Sequence, residues 1–237
     1  MRFPTDRLST TALVLANLLP LIGVFAFGWD VGMILLVYWA ENLVVGVYNI
    51  LKIALLQVEA PPLHLGKLFA IPFFAVHFGG FCAVHGLFLL AFVSGDGAVS
   101  DVFPESSWFG PLIFVQLLLS VVTEAWRNGP EGLHWPVFSL FISHGISFVQ
   151  NYIGKREFRS LSTGDLMGQP YNRIVLLHIT IIAGGVPVMM LGSPLPLLAI
   201  LVGLKIGVDL WLHARSHRKI GDTVRDGGGP ASLDQIG

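Results

Sequence analysis

Glu41 stands in the middle of an apolar stretch, in the run Tyr38-Trp39-Ala40-Glu41-Asn42. Four histidines sit in similar company. His77 and His85 flank Phe78-Gly79-Gly80-Phe81, His144 lies beside a polar stripe, and His178 follows Tyr171-Asn172-Arg173. Asp209 and His213 share one helix face at i, i+4 spacing. Imidazoles and carboxylates from separate segments are the donor set that suits zinc, iron or copper, and one or two histidines on facing helices suffice for haem. The leading expectation is therefore a metal or haem site, with His77, His85, His144, His178 and Asp209 as ligands and Glu41 as the catalytic carboxylate.

Spacing limits this reading. His77 and His85 are eight residues apart, about 12 Å along a helix and about 80° around it. A metal–imidazole bond is only about 2 Å long, so a straight helix cannot bring both rings to one ion. Depth along the segments groups Glu41, His77, His144, Asn151, His178 and Asp209 in the middle and inner half, with His85 set apart toward the outer side. Glu41 needs a proton, a cation or a metal as partner, because an unpaired carboxylate in an apolar span is costly.

Two other readings stand beside the metal site. A non-catalytic scaffold would use the polar groups as helix glue: Asn42, Gly46 and Asn49 fall at i, i+4 and i+7, and Ser139, Ser143, Ser147 and Asn151 repeat every four residues. A proton-coupled transporter would line a pathway with Glu41, the histidines and Asp209. The sequence holds no HExxH, no GxSxG, no P-loop and no GxGxxG. The single cysteine, Cys82, excludes a disulfide framework and a thiolate zinc site.

The elements that must carry these residues are read from composition. Of 237 residues, 54% are apolar and 12% charged, against about 25% charged in a typical soluble domain. So little charge cannot cover a soluble surface, which leaves an all-α polytopic transmembrane helix bundle. Seven apolar segments run about 10–28, 31–56, 68–93, 109–126, 136–153, 173–191 and 194–213, separated by Gly-, Pro- and Asp-rich breaks. They form one domain over 1–213, and 214–237 reads as a polar, disordered cytoplasmic tail.

Lys and Arg gather at Arg2 and Arg7, at Lys52 and Lys67, over 155–173, and in the tail, whereas 94–108 carries only acids. The positive-inside rule is met everywhere by six crossings with both termini cytoplasmic. One of the segments 109–126 and 136–153 is then re-entrant, interfacial or partly inserted. The expected location is the cell (inner or plasma) membrane, with the lipid bilayer as partner. Gly and Ser faces, including Gly203 and Gly207, offer a route to a homo-oligomer. Basic clusters accounted for by orientation give no reason to expect a nucleic-acid partner.

The combination of Tyr38-Trp39-x-Glu41-Asn42, His77-Phe78-Gly79-Gly80-Phe81 with His85-Gly86, and Tyr171-Asn172-Arg173-Ile174 with His178 resembles an uncharacterised family of prokaryotic polytopic membrane proteins. The similarity spans most of residues 10–213. It implies a multi-helix membrane fold and no established activity, so it assigns no functional residue.

Overall fold

The computed structural model describes residues 18–56, 61–94, 102–103, 108–159 and 161–208. Among these, all regular structure is helical. Helices α1 (Leu18–Phe27) and α2 (Val31–Leu55) are followed by α3 (Pro61–Ser94), α4 (Leu112–Asn128) and α5 (His134–Ser147). The last continues as a π-helical stretch (Phe148–Gly154) and a 3-10 turn (Glu157–Arg159). A short α6 (Thr163–Gly168), then α7 (Tyr171–Leu191) and α8 (Leu195–Val208), complete the described chain. The expected tail, together with Asp209, His213, Arg2 and Arg7, lies outside the described residues.

Local chemistry sets the helix ends. Asp30 caps α2 by accepting a hydrogen bond from the Met33 amide at 2.5 Å, which satisfies one of the orphan donors of the first turn. Gly28, at φ 65°, makes the turn between α1 and α2, a conformation that costs glycine nothing. The Lys67 ammonium donates to the Leu56 carbonyl just beyond the end of α2. Ser162 and Asp165 form a reciprocal capping box on α6, and Gly192, at φ 61°, closes α7.

Pairwise contacts fix the helix directions. Gly32 lies against Val93, Trp39 donates its indole N–H to the Cys82 carbonyl at 2.8 Å, and Gly46 lies against Phe78, so α2 and α3 are antiparallel. Tyr171 meets His77, His178 meets His85 and Gly185 meets Phe92; α7 therefore runs parallel to α3 in a constant register. Glu41 meets His144 and Lys52 meets Tyr152, so α5 with its π-helical extension runs parallel to α2. Gly80 faces Phe114 and Gly86 faces Val121, which sets α4 in the same sense as α3 and starts it about halfway along that helix.

Helix α3 is the hub. It is 34 residues long, about 51 Å, and apolar on all sides, as a helix flanked by neighbours and lipid must be. Its glycines let partners approach closely: a Cβ on Gly80 would stand 3.2 Å from Phe114, and one on Gly79 would stand 3.3 Å from Leu118. The main core joins Leu35, Leu36, Trp39, Leu90, Val121 and Leu198 toward one end of the bundle. A smaller cluster of Ile53, Leu56, Ala70 and Leu166 closes the opposite end, where Lys52, Lys67 and Lys155 gather. Between them Phe74, Phe78, Cys82 and Ile174 pack α3 against α7.

Three segments, Val31–Leu55, Gly66–Val93 and Thr163–Leu191, are long and apolar enough to cross a bilayer. Large apolar side chains such as Phe69, Phe109, Met189 and Met190 lie on the outside of the bundle. An apolar exterior of this kind suits lipid rather than water.

Candidate functional site

Among the described residues, the polar groups singled out by sequence do not meet at one centre. They divide into a charged cluster between α2, α5 and α7, and a histidine pair between α3 and α7.

In the first cluster, Glu41 projects from the middle of α2. Its Oε1 lies 3.5 Å from His144 Nε2 on α5, and its Oε2 is paired with the Arg173 guanidinium from the first turn of α7. The Glu41 side chain is only 20% exposed, against 28% for His144 and 37% for Arg173. The Tyr48 ring stacks on His144 at 6.4 Å, and its hydroxyl donates to the Phe141 carbonyl at 2.9 Å, which ties α5 to α2. By the α2–α3 and α3–α7 registers, Glu41 and Arg173 both lie level with residues 79–83 of α3, well inside the span Gly66–Val93. Arg173 is thus not part of a basic loop, as its position before an apolar segment suggested, but the cation that Glu41 requires.

Beside this cluster is a cavity of about 120 Å³. Tyr48, Lys52, His144, Ser147, Gln169 and Arg173 supply its polar wall. Lys52, from the last turn of α2, is held above the Tyr152 ring at 5.7 Å, and Tyr152 donates to the Lys52 carbonyl at 2.6 Å. Tyr152 is buried on the π-helical stretch, whose wider turn is the sort of local irregularity that often accompanies functional sites. Glu41 does not line the cavity. It stands behind His144 and Arg173 and holds both.

The second cluster corrects the depth assigned to His178. The register that puts Arg173 at mid-span carries His178 outward to His85, whose Nε2 lies 3.1 Å from His178 Nδ1. His85 is buried at 3% exposure, and its Nδ1 donates to the Phe81 carbonyl at 2.5 Å. His178 is exposed along a crevice of about 990 Å³ whose wall is mainly Phe, Val and Ile. His77 is one step further along α3, with Nδ1 2.6 Å from the Tyr171 hydroxyl and its ring stacked on Phe73 at 5.2 Å.

Other expectations resolve plainly. Asn42, Gly46 and Asn49 form a buried seam: Asn42 Nδ2 donates to the Tyr38 carbonyl at 2.9 Å and Asn49 Nδ2 to the Leu166 carbonyl at 2.8 Å. Ser139, Ser143 and Ser147 are exposed on α5, and Ser147 accepts from Asn151 at 3.1 Å. Cys82 is a buried core residue. Among the described residues, no three of His, Cys, Asp and Glu come together in a group able to hold a metal ion. Sequence reasoning missed Lys52, Tyr48 and Arg173 as site residues. The available signal was the need of Glu41 for a cation and the scarcity of Lys and Arg beside the spans.

Fold and site together define a helical membrane protein with an ion pair inside the apolar span. Residues 3–225 match the Family of unknown function (DUF6498), and the chain belongs to that family. No curated protein and no solved structure matches the chain.

Proposed function

We propose that this membrane protein binds a small anion, of the carboxylate or phosphate class, in the cavity beside Glu41 and couples that binding to proton movement, as a proton-linked permease would. The observation that carries this reading is a charge count. Lys52 and Arg173 bring two cations to the cavity, no carboxylate is among its described lining residues, and Glu41, behind it, is paired with Arg173 and faces His144. An anion entering the cavity completes the balance. Competing for Arg173, it loosens Glu41, which can then take a proton with His144 alongside. The volume is enough for several waters or one small solute.

A metal at Glu41 is the less favoured occupant, because a guanidinium already on the carboxylate repels a divalent cation. The directions of α2, α3, α5 with its π-helical extension and α7, with α4 reaching only halfway, suit six crossings in which the segments of α1 and α8 supply the first and the last. In that arrangement the end bearing Lys52, Lys67 and Lys155 is cytoplasmic by the positive-inside rule, and Lys52 of that end lines the cavity.

The test uses the full chain in proteoliposomes with formate, acetate and inorganic phosphate. At least one of these anions is expected to raise the thermal unfolding temperature in a concentration-dependent way and to drive a proton flux reported by an internal pH dye. Arg173→Gln is expected to abolish both effects. Glu41→Gln keeps anion binding and loses the proton flux. If none of the three anions stabilises the protein or moves protons beyond the empty-vesicle control, the reading is wrong and a scaffold role gains.

A further inference from the structure

The crevice between α3 and α7 is separate from the charged cavity; three histidines line it, His77 turned to the Tyr171 hydroxyl and His85 and His178 forming a pair that is chemically directional. The Phe81 carbonyl can only accept, so the 2.5 Å contact places a proton on His85 Nδ1. A neutral His85 then has a bare Nε2, which must accept the hydrogen bond it shares with His178. His178 Nδ1 therefore carries the proton, and a neutral His178 is left with an unprotonated Nε2. The chain of donors runs from His178 to His85 to the Phe81 carbonyl, and it fixes the ring of His178 as a hydrogen-bond acceptor at the crevice wall.

The lining narrows the occupant. Phe73, Phe81, Phe88 and Phe114 offer aromatic faces, Val186 and Met189 extend the apolar wall, and no Lys or Arg is among the described lining residues. A phospholipid headgroup or a haem with its two propionates would bring negative charge without a counter-ion. The volume, about 990 Å³, lies at the upper end of small-molecule sites, roughly 300–1,000 Å³. A neutral, flat ligand with a hydroxyl donor and an apolar tail satisfies each of these conditions.

We infer that the crevice binds a lipid-soluble hydroquinone or a closely similar phenol, whose O–H donates to His178 Nε2 while its ring lies among the phenylalanines. His178 is the binding residue. His85 is a positioning residue that holds the tautomer, and this assignment is independent of the anion site.

The experiment measures equilibrium binding of a decyl-substituted benzohydroquinone and of its dimethyl ether to the purified full chain in detergent. The ether keeps the ring and the decyl chain, adds two methyl groups and has no hydroxyl donor. Wild-type protein is expected to prefer the hydroquinone by about five- to tenfold, the worth of one good hydrogen bond in an apolar site. His178→Phe is expected to bind the two compounds equally, and His85→Phe to show a reduced preference. Equal binding of both compounds by wild-type protein would overturn the inference, because it shows a crevice that takes only apolar chains. So would a preference that survives His178→Phe, or a haemin titration giving a Soret shift that depends on His178 without any hydroquinone preference. The comparison in wild-type protein stands even if a variant fails to fold.

Discussion

Arg173, in the first turn of α7, reaches across to Glu41 at the middle of α2 and neutralises it inside the apolar span. The pair determines what the neighbouring groups can do. With one carboxylate oxygen committed to the guanidinium and the other turned to His144, Glu41 has little capacity left for a metal ion. Among the described lining residues of the cavity cations outnumber carboxylates, and this excess is the physical basis for proposing an anion.

The Glu41–Arg173 pair should show strong coupling in a double-mutant cycle. Removing one partner leaves the other charged and poorly solvated, a loss of about 3–5 kcal/mol for a fully buried pair. The 37% exposure of Arg173 admits solvent and lowers the expected figure to about 1–3 kcal/mol. Glu41→Gln and Arg173→Met should each lower the unfolding temperature in detergent, and the double variant should lose less than the sum. Strict additivity would show that the two residues do not act on each other. Arg173→Lys should recover only part of the loss, because an ammonium lacks the planar fork that grips a carboxylate.

The α2–α3 seam should be intolerant of bulk at Gly46. A Cβ there would stand 2.8 Å from Phe78, whose ring is itself stacked on Phe74 at 4.8 Å. Gly46→Leu should destabilise the protein by about 1–3 kcal/mol through overpacking, whereas Gly203→Leu, where an added Cβ meets nothing within 4 Å among the described residues, should have little effect on the monomer. A thermal unfolding series on the two variants tests the contrast, and equal losses would contradict it.

The helical class and the approximate spans were legible because apolar length and turn residues survive any rearrangement of faces. Glu41 was legible as a group in need of a partner for the same reason. The partner was not. Arg173 precedes an apolar run, so it reads as a loop cation, yet α6 and the π-helical stretch fill the basic end and carry the start of α7 deeper. His178 was placed too near the basic end because its depth was counted from Arg173 as a loop residue, and the constant register between α3 and α7 that carries it to His85 leaves no mark in either segment. In a soluble helix, a polar face would have shown which side packs. Here lipid and core are both apolar, and that signal is missing.

Trp39 should be a sensitive reporter of the α2–α3 contact. It is 3% exposed and its indole N–H donates to the Cys82 carbonyl at 2.8 Å. Trp39→Phe removes that bond and part of the ring, with an expected loss of about 1–2 kcal/mol. Its intrinsic fluorescence, compared before and after the substitution in the folded protein, should identify a strongly shielded component that disappears. Unchanged stability would mean that the bond does not hold the two helices.

The half-height position of α4 leads to a labelling prediction. Phe114 faces Gly80 near the middle of α3, and Val121 faces Gly86 further along, so α4 covers only one half of its neighbour. Phe109, five residues before Phe114 and fully exposed on the chain, is then placed near mid-depth against lipid. Cys82 is buried and supplies little background to a thiol reagent. In membranes, a membrane-impermeant maleimide should label Glu131→Cys from one side and Lys155→Cys from the other, since α5 and its extension connect these positions across the bundle. Phe109→Cys should resist the impermeant reagent from both sides and react with a permeant, apolar maleimide. A full crossing by α4 would instead bring residue 109 to the basic end, where Lys67 and Lys155 meet water. Labelling of Phe109→Cys from the same side as Lys155→Cys would therefore replace six crossings by seven.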